Sequence, residues 1–325
     1  MSRDLLLGLD GGGSKTILAC VDRQGSIVAL RHGTALDPMA APDWPTRLAD
    51  LLASLQDLLP DVSRAVLGLP FHGEVESISR QQNAVAASLL AMPCEVLNDV
   101  HVAFEGALAG RPGVLALAGT GSMGWAGDGR DRYVRVGGWG DLLGDEGSAH
   151  WVGREALSQM TQALDGRSAD RAFADALLAS LRISEAEVIG WSYLNSSRRS
   201  DVAALAEAVD DLAETGNATA LTILARAADH LIDHVRAAAR RIGTPQPLVW
   251  SHAGGLFRSA TVLRLMTEAL GAPVAPDLPP IGGAILRAAR QSGWTTDDPA
   301  WRARLAASFA ATIRPGGFRH SGSVA

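Results

Sequence analysis

A carboxylate, three glycines, two hydroxyls and the chain's single lysine share one short stretch, Asp10-Gly11-Gly12-Gly13-Ser14-Lys15-Thr16. The other 28 of the 29 basic residues are arginine. A GC-rich coding bias produces such avoidance of lysine, so the one exception is informative. Three glycines let a backbone approach an anion closely and turn its N–H groups toward it. Asp10 adds a hard oxygen for a hydrated Mg²⁺, and Lys15 adds a compact positive charge. The loop is suited to phosphate. Asp-Gly between apolar runs is also a plain hairpin signal, and the two readings are compatible. A Walker loop is excluded, because it needs glycine directly before lysine and a helix after it. Here Ser14 precedes Lys15 and an apolar strand, 16–21, follows. The Rossmann fingerprint fails for the same reason.

Elements must hold these residues. Apolar runs and helical periodicity predict strands at 5–9, 16–21, 26–31, 65–69 and 95–97, with helices at 43–59, 77–91 and 100–109. Asn98-Asp99 then falls at a strand's C-terminal end, where either residue would also suit a helix N-cap. A second run of strands, 114–118, 123–126 and 132–136, is interrupted by Gly119-Thr120-Gly121-Ser122. Ala/Leu-rich helical periodicity dominates 147–242. Strand 247–250, helix 259–270 and helix 284–291 follow, and 313–325 reads as a frayed tail. Each half thus opens with apolar strands closed by a glycine turn carrying Ser or Thr. Two such turns can grip one polyphosphate from two sides.

Bulk properties narrow the function classes. A chain of 325 residues suggests two domains or lobes. A net charge of −6 without a Lys/Arg stripe argues against a nucleic-acid surface. Arg198-Arg199 and Arg240-Arg241 read as solvated helix faces. No apolar run reaches the roughly 18–20 residues of a membrane span. The start, Met1-Ser2-Arg3-Asp4, leads straight into a strand, so no signal peptide is expected and a cytoplasmic location is. Cys20 and Cys94 lie in apolar surroundings without CxxC or a Cys/His cluster, which excludes a disulfide framework, a zinc site and a conventional iron–sulfur motif.

The order of the two glycine turns, Asn98-Asp99 and the late Gly254-Gly255-Leu256-Phe257 resembles the actin/hexokinase/Hsp70 ATPase superfamily. Residues 136–148, Val-Gly-Gly-Trp-Gly-Asp-Leu-Leu-Gly-Asp-Glu-Gly-Ser, are similar to the GGWG…GDEGS segment of the N-acetylglucosamine kinase branch of the BadF/BadG/BcrA/BcrD family. Gly282-Gly283-Ala284 resembles that family's late inter-lobe connection. The resemblance spans roughly 5–291. ROK-type sugar kinases fit less well, because their Cys/His zinc motif is absent. Neither cysteine matches the cluster ligands of the family's activator ATPases.

The resemblance implies an α/β, two-lobed actin-like ATPase (ribonuclease H-like) fold. Each lobe would be a mixed sheet flanked by helices, with an ATP cleft between them. The N-terminal lobe would occupy 1–112 and the C-terminal lobe 113–292, with a helical insertion at about 150–242. A C-terminal helix and flexible tail, 293–325, would follow.

It also implies roles. Asp99 becomes the catalytic base and a sugar contact. Asp10 becomes the Mg²⁺ residue, through water. Gly11, Gly12, Gly13, Ser14, Lys15 and Thr16 would bind ATP phosphates, as would Gly119, Thr120, Gly121 and Ser122. Gly254, Gly255 and Leu256 would lie against adenosine. Asp145 would contact sugar hydroxyls, and the backbone at Gly138–Trp139 would frame the ring. Trp139 reads equally as a stacking face or a packing plug. Asp145-Glu146 reads alternatively as the acidic start of a helix over 146–158, and Glu146 is left without a role.

Two segments depart from the family pattern. Leu36-Asp37 replaces its Ser-Asn pair, exchanging an amide for an acceptor-only carboxylate. Asp37 would suit an amine such as glucosamine, or would be a turn residue before Pro38. Gly68-Leu69-Pro70-Phe71-His72-Gly73 replaces an Ala-Gly-rich loop, with His72 a substrate contact or an exposed loop residue. The function implied is an ATP- and Mg²⁺-dependent kinase acting on the 6-hydroxyl of an amino sugar, N-acetylglucosamine first. Glucosamine kinase is the near alternative, and a BadF-type ATPase coupled to a protein partner is the rival. Dimers are common in the family, so a homodimer accords with the resemblance, although no stretch announces an interface.

Overall fold

Consecutive leucines begin β1 (Leu5–Gly11) because both faces of this strand are covered. Leu5, Leu7 and Leu9 point into a core with Trp44, Leu48 and Leu52 of α1 (Trp44–Ala53). Leu6 faces the opposite core, made with Ile281 and Ile285 of α10 (Pro280–Gln291). A strand buried on both sides needs no polar alternation. The computed structural model describes residues 4–12, 15–194, 198–244, 246–296 and 298–312.

The chain divides into two compact units, Met1–Ala109 with Pro276–Ala325, and Gly110–Ala275. The first holds a five-stranded sheet ordered β3-β2-β1-β4-β5. β2 (Lys15–Asp22) and β3 (Ile27–Thr34) run antiparallel from β1, while β4 (Val62–Leu69) and β5 (Cys94–Asn98) run parallel to it. α2 (Glu76–Leu89) precedes β5, and α3 (Asp99–Leu108) follows it directly. α11 (Pro299–Thr312) closes this unit, its Trp301 indole donating to the Arg23 carbonyl at 3.1 Å.

The second unit repeats the plan. β6 (Gly113–Ala118), β7 (Ser122–Gly127) and β8 (Tyr133–Gly137) form an antiparallel meander, and β9 (Trp250–Ala253) lies parallel to β6. The intervening chain forms α4 (Ala149–Leu164), α5 (Arg171–Leu181), α6 (Val188–Leu194), α7 (Arg198–Glu214) and α8 (Ala218–Ile242). α9 (Ala260–Leu270) follows β9. A separate apolar core runs through this unit from Val114 to Met266. The echo between halves seen in the sequence is therefore one of strand order as well as of glycine turns.

Three expectations shift. The late strand is 250–253 rather than 247–250, since Val114 pairs with Trp250 and Leu117 with Ala253. Residues 276–292 pack with the first unit instead of continuing 113–292, because the apolar face of α10 covers β1. The helix expected from Glu146 starts at Ala149, capped by Ser148, whose hydroxyl accepts from the Trp151 amide at 3.0 Å. Left-handed Gly147 (φ 75°) keeps the preceding residues out of the helix. The tail 313–325 lies outside the described residues.

Candidate active site

In the first unit the parallel strands β1, β4 and β5 are neighbours, so their C-terminal ends share one edge of the sheet. Open α/β sheets bind ligands at that edge. Asp10 is the penultimate residue of β1, β4 leads into the loop carrying Glu74, and β5 hands over to α3 at Asp99. Asn98 is the N-cap of α3, its side-chain oxygen accepting from the Val100 amide at 2.9 Å. Its amide nitrogen donates to the His72 carbonyl at 3.0 Å and to Glu74 Oε1 at 2.8 Å. Asp99 Oδ1 accepts from the same Val100 amide at 2.9 Å, so the two side chains share that donor and the second oxygen of Asp99 is the one left for chemistry. Burial, then the charges of Asp10 and Glu74, push the Asp99 carboxyl up to about 7. Burial lifts Asp10 to about 6, opposed by the positive charge of Lys15. Glu74 escaped the sequence reading, because only the fold brings its loop beside the end of β5.

The hairpin between β1 and β2 is closed by the Gly12 amide donating to the Lys15 carbonyl at 3.0 Å. Gly13 and Ser14 lie outside the described residues. Thr16 does not serve phosphate through its hydroxyl: it is fully buried and donates to the Thr34 carbonyl at 2.7 Å, pinning β2 to β3. Asp37 accepts from the amides of Met39 at 2.8 Å and Ala40 at 3.2 Å, the turn reading of that residue. Leu36 beside it is buried in the core. His72 Nε2 lies 3.3 Å from Asn83 Oδ1, and burial lowers its proton affinity. Its loop supports Asn98.

The second unit builds its own half-site. Gly119 donates to the Gly121 carbonyl at 2.9 Å, making the tight turn between β6 and β7. The first amides of α4 grip that turn, Ala149 to the Gly119 carbonyl at 2.9 Å and His150 to the Thr120 carbonyl at 3.4 Å. Thr120 is exposed, whereas Ser122 is buried and donates to the Glu146 carbonyl at 2.7 Å. Ser122 is thus a clasp rather than a phosphate ligand through its side chain. Gly254 (φ 106°) passes so close to the hairpin that a Cβ there would strike the Ala118 carbonyl. Gly255 is exposed, while Leu256 turns into the core, so the loop offers glycine backbone rather than a leucine side chain.

Trp139 is 63% exposed, with the Arg135 guanidinium 5.0 Å from its ring centroid. It is no packing plug. Gly137 and Gly138 beside it are both left-handed. Asp145 (φ 56°) is buried, its Oδ1 3.5 Å from the Ser122 amide. Arg199 Nη2 lies 2.8 Å from Asp145 Oδ2, and Arg199 Nε lies 3.6 Å from Asp141 Oδ1. The sequence placed Arg199 on a solvated helix face; its partners lie more than fifty residues upstream and only packing shows them. Glu146 Oε2 lies 3.8 Å from His234 Nε2. Among the described residues, no group of three or more His, Cys, Asp or Glu side chains is arranged to hold a metal ion directly. No helix among them is long and apolar enough to cross a membrane.

Residues 7–288 match the profile of the BadF/BadG/BcrA/BcrD ATPase family. The chain is 24% identical over 266 residues to the N-acetylmuramic acid/N-acetylglucosamine kinase of Clostridium acetobutylicum, covering 79% of this chain and 87% of that one. It is 25% identical over 296 residues to the N-acetyl-D-glucosamine kinase of Dictyostelium discoideum, covering 82% and 90%. A Chromobacterium violaceum crystal structure with a provisional N-acetylglucosamine kinase assignment superposes with a TM-score of 0.73 at 24% identity. That superposition covers 88% of this chain and 99% of the other, and it establishes the shared fold.

Proposed function

The chain belongs to the BadF/BadG/BcrA/BcrD ATPase family, and from that premise we propose that it is an ATP-dependent kinase phosphorylating the 6-hydroxyl of N-acetylglucosamine. The observation that carries the reading is Asp99, a carboxylate raised to about 7 at the end of β5. A base poised near the working pH is what proton abstraction from a sugar hydroxyl needs. In the step proposed, the 6-hydroxyl gives its proton to Asp99 as its oxygen bonds to the γ-phosphorus. The bond from that phosphorus to the β,γ-bridging oxygen breaks, and ADP leaves.

Each hairpin is assigned to the phosphates, through Gly11, Gly12 and Lys15 in one unit and Gly119, Thr120 and Gly121 in the other. Gly254 and Gly255 are assigned to adenosine. Asp145 and the exposed face of Trp139 are assigned to the sugar. The charge of Asp10 acts on Asp99, and a pair of neighbouring carboxylates is a hard-oxygen donor set that fits Mg²⁺ held through water by Asp10. Such an ion would neutralise phosphate charge during transfer. ATP as donor and two free cysteines accord with a cytoplasmic reaction. A homodimer remains part of the proposal and is read by sedimentation.

With Asp37 engaged by its own turn, the case for glucosamine loses its motivating carboxylate. The test is ADP release with Mg²⁺-ATP and N-acetylglucosamine, glucosamine, N-acetylmannosamine, N-acetylmuramic acid or glucose, beside a sugar-free control. Strong stimulation by N-acetylglucosamine is expected. Equal turnover with and without every sugar would sink the kinase and favour an ATPase coupled to a protein partner.

A further inference from the structure

We propose that Arg199 is a positioning residue for the hairpin 119–122, cancelling the buried charge of Asp145 and tying segment 137–145 to α7. The inference rests on the assignment of that hairpin to nucleotide phosphate. Asp145 is 3% exposed and lies against the turn: a Cβ on Gly121 would sit 3.0 Å from its Oδ2. A bare carboxylate in that place would repel any phosphate held by Gly119–Gly121. Arg199 meets the same oxygen at 2.8 Å and reaches Asp141 at 3.6 Å. One guanidinium thus takes both carboxylates of the Asp141–Asp145 stretch. Between them the backbone is turned by the Gly144 amide donating to the Gly140 carbonyl at 2.8 Å.

Arg199 is well placed to be held still. α7 is anchored by buried Val202, Leu205, Ala206 and Val209. Further along the helix, Glu207 pairs with Arg258 at 2.8 Å and Asp210 accepts from Ser259 at 2.5 Å. Those partners border the turn carrying Gly254 and Gly255. A helix rises about 1.5 Å per residue, so α7 braces the phosphate and adenosine segments of this unit from points roughly 16 Å apart.

The experiment is calorimetric titration of the full chain with Mg²⁺-ADP and, separately, adenosine. It compares wild type, Arg199→Met, Asp145→Asn and the double variant. Arg199→Met should weaken ADP binding about tenfold, the scale of one uncompensated charge nearby, while adenosine binding holds. Adding Asp145→Asn should restore ADP affinity, and high salt should shrink the defect. Asp145→Asn alone should bind ADP at least as well as wild type. The proposal is overturned by wild-type ADP affinity in Arg199→Met, by equal losses for ADP and adenosine, or by failed rescue. If Arg199→Met does not fold, weakened ADP binding by Asp145→Asn alone overturns it. Absence of ADP binding by the wild type overturns it as well. Failure of sugars to stimulate turnover bears on the kinase reading only, because these affinities are measured without sugar.

Discussion

Asp99 sits where burial and the charges of Asp10 and Glu74 lift its proton affinity toward neutrality. Asp99→Asn keeps the shape and removes the base, so turnover should fall about 10²–10⁴-fold with the fold intact by circular dichroism. Loss of turnover accompanied by unfolding would point to a structural role instead. The same titration sets the pH dependence of stability. Asp99 at about 7 and Asp10 at about 6 both stand above their ordinary value of 3.8. Between those limits the folded chain binds more protons than the unfolded one, so stability falls as pH rises. In metal-free buffer, wild type should lose melting temperature relative to Asp99→Asn between about pH 4 and pH 7. Parallel melting curves across that range would show that Asp99 carries no such strain. Catalysis runs the other way, and kcat/KM should decline below about pH 7 as the base takes up its proton.

At the level of elements, the site depends on how closely helices approach one another. α3 begins with Asp99, and α10 crosses it at Gly283, where a Cβ would collide with the Val102 carbonyl. Gly106 faces the same crossing, where a Cβ would meet the Pro279 carbonyl at 2.6 Å. Gly283→Ala should therefore cost about 1–3 kcal/mol through overpacking, read as a lowered urea midpoint with an unchanged slope. Displacement of α3 should reduce turnover in proportion. An unchanged midpoint would mean that the two helices can separate freely. The sequence showed Gly282-Gly283 but no helix partner, since both helices are buried and neither reveals its neighbour by periodicity.

For the molecule as a whole, the two units differ in how they are made. Gly110–Ala275 is continuous and has its own core, whereas the first unit is completed only by the segment from Pro276 onward. Residues 110–275 alone should melt cooperatively with helical circular dichroism. Residues 1–109 alone should not, because Leu6, Ile17, Ala19 and Val21 would lose Ile281, Ala284 and Ile285 from the face they cover. A cooperative transition for 1–109 would show that the α10 face is dispensable.

Much was legible in the residues alone. Glycines cluster where the backbone turns tightly, and apolar periodicity follows burial, so both hairpins, the two-part α/β plan and the strand-to-helix junction at Asn98-Asp99 could be read directly. Local spacing cannot disclose which distant side chains meet. Only tertiary structure set Glu74 beside Asn98 and Asp99. Strand alternation turned Thr16 inward to β3, and the 137–148 bend bound Ser122 to Glu146. Packing of α7 brought Arg199 to Asp145. Those pairings depend on hydrogen-bond reach between segments far apart in the chain, a distance set by the fold and by nothing in the order of the residues.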